Sequence, residues 1–95
     1  MGLTDNLRIL KLDLQISTSA YDELLLQMIS SAEDMIAREG IVLDGKKAED
    51  TQLVVMYAAY LYRRRRDENP AMPRSLRFAL NNRLFSQKAG GVSAG

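Results

Sequence analysis

Between residues 21 and 36 the apolar side chains Tyr21, Leu24, Leu25, Met28, Ile29, Ala32, Met35 and Ile36 recur at the three-and-four spacing of one helix face. At 100° per residue they span about 140° of arc, and only Leu26 falls outside the stripe. Ser19, followed three residues later by Asp22, predicts a capping pair at the start of this helix. Gly40 predicts a left-handed C-cap, with Ile41 and Val42 covering the last turn. Ser30 and Ser31 beside Ala32 leave room for another helix to approach closely.

The remaining pattern predicts three further helices. "TDNLRILKLDLQI" places Thr4 as an N-cap before Leu7, Ile9, Leu10 and Leu14, a short helix over about 5–12, although alternation from Leu10 to Ile16 also fits a half-buried strand. "VLDGKKAED" reads as a polar connection with a turn at Asp44-Gly45. Asp50 then caps a third helix that continues to about Arg66. Val54 and Val55 favour strand, but the length of the segment and Met56, Ala58 and Ala59 decide for helix. Its apolar residues surround the axis, so it is either central in its own fold or also meets a partner. After Pro70 a fourth helix, with Pro73 in its first turn, runs to near Gln87. Leu76, Leu80 and Leu84 lie along one side of it, with Ala79 near them, and Phe78 and Phe85 project from roughly the opposite side. The expected architecture is all-α: a small four-helix domain over 1–87, with a short first helix and three longer ones, then a flexible tail over 88–95 rich in small residues.

Composition narrows the chemistry. A chain of 95 residues suits one domain with a modest core. Its 46% apolar and 26% charged residues fit a soluble folded chain better than a disordered or membrane one. No apolar run approaches the roughly 20 residues of a bilayer span, and "MGLTDNLRIL" lacks the features of a secretory signal, so cytoplasmic synthesis is expected. Neither His nor Cys is present, which removes the commonest general base, the thiol nucleophile and the soft metal ligands. The pairs Asp22/Glu23 and Glu33/Asp34 read as solvated helix surface. "GIVLDGKK" imitates part of a phosphate-binding loop, but Lys47 stands where a Mg²⁺-binding hydroxyl is required, and a helix cap and a turn account for both glycines. No enzymatic activity, cofactor, metal or small-molecule substrate is expected.

The net charge of +1 conceals a division. Residues 1–50 carry five basic and ten acidic residues, a net −5, whereas residues 51–95 carry eight basic and two acidic, a net +6. The halves either neutralise each other inside one fold or attract between copies, and a head-to-tail contact of the second kind closes into a ring. Arg63, Arg64, Arg65 and Arg66 end the third helix at 100° steps and so form no single reading edge. They suit a basic cap on a buried helix, where they complement the helix dipole and cover apolar surface with their stems. A contact with another subunit is the second reading, and a small helical nucleic-acid-binding regulator using this run is the third, although a pI of about 8.0 is low for a groove reader.

The succession "LKLDLQIS", "YDELLLQMISSAEDMIAREGI", "DTQLVVMYAAYLYRRR" and "MPRSLRFALNNRLFSQ", covering about residues 7–87, resembles the head-tail connector (adaptor) proteins of long-tailed bacteriophages and their prophages. The resemblance implies a structural virion protein of the neck, a homo-oligomeric ring between the phage portal protein and a stopper or tail-completion protein, with a channel through which DNA passes without sequence recognition. It transfers no active site and implies no membrane partner. The residues expected at subunit or portal contacts, on their own chemistry, are Tyr62, Arg63, Arg64, Arg65, Arg66, Arg74, Phe78, Phe85 and Lys88.

Overall fold

The computed structural model describes residues 3–65 and 71–94, with side chains over 5–65 and 71–90. Four helices form the chain: α1 (Leu3–Leu14), α2 (Asp22–Arg38), α3 (Ala48–Arg64) and α4 (Arg74–Ala94). No strand occurs among the described residues, and the all-α expectation holds. The alternation from Leu10 to Ile16 does not become a strand. Instead α1 continues to Leu14 and stops where Gln15 turns left-handed, at φ 59°. The Gln15 N–H donates to Leu12 O (3.2 Å) and the Ile16 N–H to Lys11 O (2.9 Å), the paired bonds of a Schellman ending with glutamine in the place glycine usually takes.

Helix α2 ends as expected. Gly40 has φ 94°, and its N–H donates to Ala37 O at 3.0 Å. A β-carbon there would meet Leu84 Cδ1 at an ordinary 3.7 Å, so the backbone angle and not crowding calls for glycine. The starts of the helices correct three expectations. Thr4 lies inside α1, which begins at Leu3. Ser19 accepts the Asp22 N–H with its carbonyl and not its hydroxyl, and α2 starts behind Tyr21 with no side-chain cap, while Thr18 Oγ1 accepts the Ala20 N–H in a local turn. Asp50 does not cap α3 either; that helix begins at Ala48, and the Asp50 carboxylate is drawn away to partners outside the helix.

Helix α3 is the centre. Leu53, Val54, Val55, Tyr57, Ala58 and Ala59 are buried on successive sides, against Leu10 of α1, Leu25, Ile29, Ala32 and Ile36 of α2, and Leu76 and Leu80 of α4. Its most extensive packing is on α2, where Ala32, Ala58 and Ala59 present little more than methyl groups. Ser30 and Ser31 are exposed, so the close approach expected of that stretch rests on Ala32 alone. The all-round apolarity of α3 is therefore accounted for within one chain, and no second copy is needed to explain it.

Helix α4 begins one residue later than expected, behind Pro73, whose carbonyl accepts the Arg77 N–H at 3.1 Å. It also continues through Ala94, so the end expected near Gln87 and the boundary at residue 88 do not mark the end of the helix. Once a helix is nucleated, each added residue gains a hydrogen bond, and no proline stops this one; Gly90 and Gly91 each cost only about 1 kcal/mol relative to alanine.

Besides Leu76 and Leu80, α4 is fastened by polar side chains. Arg83 donates Nε to Asp50 Oδ1 (2.6 Å) and Nη2 to both Asp50 Oδ2 (3.0 Å) and Val42 O (2.9 Å). Asp50 is 2% exposed and also accepts the Asp44 N–H at 2.7 Å. Gln87 spans the α2–α3 connection, accepting the Val42 N–H (2.6 Å) and donating to Gly40 O (2.8 Å), as a neighbouring peptide would. Arg77 grips both oxygens of Glu39, at 2.8 and 3.0 Å.

Burial acts to raise the Asp50 carboxyl, but the hydrogen bonds from Arg83 and the Asp44 N–H, with the charges of Arg83 and Lys47, outweigh it and hold the group below its usual range. A folded-state value below the unfolded one means that the pair's stabilisation is full above the ordinary carboxylate range and is lost as pH falls through the lowered value. Arg83→Met, which strands the buried carboxylate, is expected to cost about 3–5 kcal/mol in urea unfolding at neutral pH. Asp50→Asn should flatten the acid limb of the stability profile. Gln15→Gly relieves a left-handed side chain and is expected to stabilise by about 0.5–1 kcal/mol, read as a rise in Tm.

Candidate interaction surface

The polar fastening fixes the rotation of α4 about its axis. With Leu76, Leu80, Arg83 and Gln87 turned inward, the 100° step carries Phe78 and Phe85 to the opposite side. Phe78 is 62% exposed and Phe85 76%. Asn82 and Ala89 share this outer face, so two rings stand on an otherwise small or polar surface. The two apolar faces expected of this helix are both present, and only one of them is covered.

The arginine run behaves differently. Arg63 Nη2 approaches Asp13 Oδ2 of α1 at 3.7 Å, with both side chains largely in solvent. Such a pair contributes little to stability. Arg64 and Arg65 turn toward α2, lining with Met28, Ser31 and Leu61 a shallow groove of about 310 Å³. Arg64 thus continues the line of Leu53, Tyr57 and Leu61, as its spacing implies. Tyr62 is half-buried against the core. Arg66 lies outside the described residues. Arg74 and Lys88 are exposed on α4. The described arginines diverge toward α1 and α2 and do not join the phenylalanines in one patch.

The charge division is partly resolved within the chain. Arg63, Arg77 and Arg83 of the basic half meet Asp13, Glu39 and Asp50 of the acidic half. Among the described residues, Glu33, Asp34 and Glu49 near the start of α3, and Arg64 and Arg65 at its end, take no part in ion pairs. Lys46 and Lys47, beside the start of α3, likewise take no part in ion pairs among the described residues, so that end of the helix carries both signs.

Sequence reasoning missed the residues that set this surface. Arg83 and Arg77 drew no attention beyond their charge and Gln87 none beyond marking an expected helix end, and the one available signal was their spacing with Leu76 and Leu80 along the inward side of α4. Among the described residues no group of three or more acidic side chains is placed to hold a metal. The phosphate-loop imitation is a cap and a turn: Gly40 ends α2, and Asp44 Oδ1 accepts the Lys46 N–H at 2.9 Å. No described helix is long and apolar enough to cross a membrane.

The two faces of α4 should separate in a stability assay. Leu80→Ala, which opens a cavity beside α3, is expected to cost about 2–5 kcal/mol. Phe85→Ser, on the open face, should stay within about 0.5 kcal/mol of the parent. Comparison with protein-family models, with curated proteins and with solved structures found no match to this chain.

Proposed function

We propose that this chain is a structural subunit of a phage or prophage head-tail connector, forming a homo-oligomeric ring in the virion neck between the portal protein and a stopper or tail-completion protein, around a channel for DNA. The observation that carries this reading is the uncovered aromatic face of α4. Two phenylalanines seven residues apart stand in solvent on a helix whose other side is pinned to the core. A pair of large exposed rings on so small a protein marks a contact surface. Arg64 and Arg65, outside any ion pair among the described residues, support the same reading, since exposed charge can orient one copy against the next. The chain likeness over residues 7–87 supplies the kind of assembly.

Sedimentation velocity over a range of concentrations, with and without a portal ring, tests the proposal. The parent chain is expected to self-associate or to bind the portal. Phe78→Ser with Phe85→Ser should remove that association while leaving the unfolding midpoint nearly unchanged. A chain that stays monomeric at high concentration and also ignores the portal rules the connector reading out.

A further inference from the structure

The α2–α3 connection, residues 39–47, forms neither helix nor strand, and Gly40 O and both backbone polar groups of Val42 find their partners on α4. Gln87 accepts the Val42 N–H (2.6 Å) and donates to Gly40 O (2.8 Å). Arg83 donates to Val42 O (2.9 Å) while it holds Asp50, and Asp50 in turn accepts the Asp44 N–H (2.7 Å). Leu84 Cδ1 lies against Gly40, 3.7 Å from where a β-carbon would stand. Arg77, paired with Glu39, extends the same line of contacts to the end of α2. One edge of α4, from Arg77 to Gln87, therefore fastens the chain between Glu39 and Asp50.

The other three helices are joined differently. Each of α1, α2 and α3 packs on the other two, whereas α4 packs chiefly on α3. Leu10 of α1 and Leu25, Ile29, Ala32 and Ile36 of α2 give these three a shared apolar core with α3. From α4, Leu76 and Leu80 are the fully buried hydrophobics among the described residues. Stability divides along such seams, and the element with less buried apolar contact opens at the lower cost. Once undocked, α4 would keep little helix, because an isolated helix is marginal in water even when rich in alanine, and Gly90 and Gly91 weaken this one further.

We infer that α4 and the α2–α3 connection form one cooperative unit, latched by Arg83 and Gln87, which opens as a whole while α1, α2 and the body of α3 stay folded. The latch acts in both directions. With α4 docked, the connection has its backbone bonds and one shape. With the connection rearranged, α4 loses its polar fastening and keeps little beyond the grip of two leucines on α3. The device couples two surfaces that do not touch: the outer face of α4, with Phe78 and Phe85, and the connection, whose Val42 side chain is 72% exposed. Whatever binds either surface only in the latched state also holds the other in place, and the coupling is reciprocal. This holds whatever the partner of the aromatic face is, so the inference stands apart from the connector reading.

Hydrogen exchange of the full chain, followed amide by amide by NMR at low urea concentrations, tests the latch. The Asp44 amide is expected to share one opening free energy and one urea dependence with Leu80 and Leu84 of α4, below those of Ile29 in α2 and Ala58 in α3. Gln87→Met keeps the length and helix propensity of the side chain but removes both bonds to the connection. It should speed exchange about three- to tenfold at Asp44, Leu80 and Leu84 alike and leave Ile29 and Ala58 unchanged. Asp44 is the decisive probe, because its own bond runs to Asp50, which the substitution does not touch. Exchange at Leu80 and Leu84 as slow as at Ala58, with the same urea dependence, means that α4 leaves only on global unfolding and overturns the separate unit. A response confined to Val42, with Asp44 and Leu80 unmoved, reduces Gln87 to a local bond and overturns the coupling.

Discussion

The buried pair of Asp50 and Arg83 decides how the fourth helix sits, and the outer surface follows from it. Helices α1, α2 and α3 join chiefly through apolar contacts, with a charged bond from Lys11 of α1 to Asp22 of α2. Helix α4 reaches the core with Leu76 and Leu80 buried and Ala79 and Leu84 partly so. Turned half a revolution, it would bury Phe78 and Phe85 instead, and each ring is worth about 1.5–3 kcal/mol of apolar transfer. That alternative strands a carboxylate 2% exposed, at about 3–5 kcal/mol, and carries two leucines into water. The ion pair thus acts by excluding a competing packing, which is the better-attested use of a buried charge pair. The phenylalanines are exposed because something else holds the register.

The same pair explains where the chain pattern was readable and where it was not. The stripe of α2 and the cap at Gly40 are local: periodicity within a helix and a single backbone angle determine both. The start of α3 is not local. Asp50 has the chemistry of an N-cap, but its partner lies 33 residues ahead on α4, and a contact at that distance leaves no mark in the neighbouring sequence. Ser19 fails as a cap for a nearer reason, since its carbonyl accepts the Asp22 N–H in a turn and the helix starts behind Tyr21. Gln15 shows the opposite case, a left-handed helix ending without the glycine that would have announced it.

The candidate surface divides in the same way. Phe78 and Phe85 were legible because α4 carries apolar residues on two sides and one helix cannot bury both against a single core. The all-round apolarity of α3 looked like equal grounds for a partner, yet three neighbouring helices enclose it. The arginine run was legible as a basic helix end, and its members do diverge as 100° steps require. Asn6 gave no signal, and Glu33, which with Asp34 read as solvated helix surface, is half-buried. Both line a cavity around which four segments converge, and neither residue type is unusual where it stands in the sequence.

In the proposed assembly, two different surfaces would contribute two different properties. The aromatic face of α4 can supply affinity, because apolar burial is strong and scales with area, but it is nearly indifferent to direction. The arginines at the end of α3 can supply direction, because charge complementarity orients a contact, but exposed charges alone are weakened by salt. The fold keeps these surfaces apart on separate helices, and the Asp50–Arg83 pair fixes their relation: it sets the outward face of α4 from the start of α3, the end opposite the arginines.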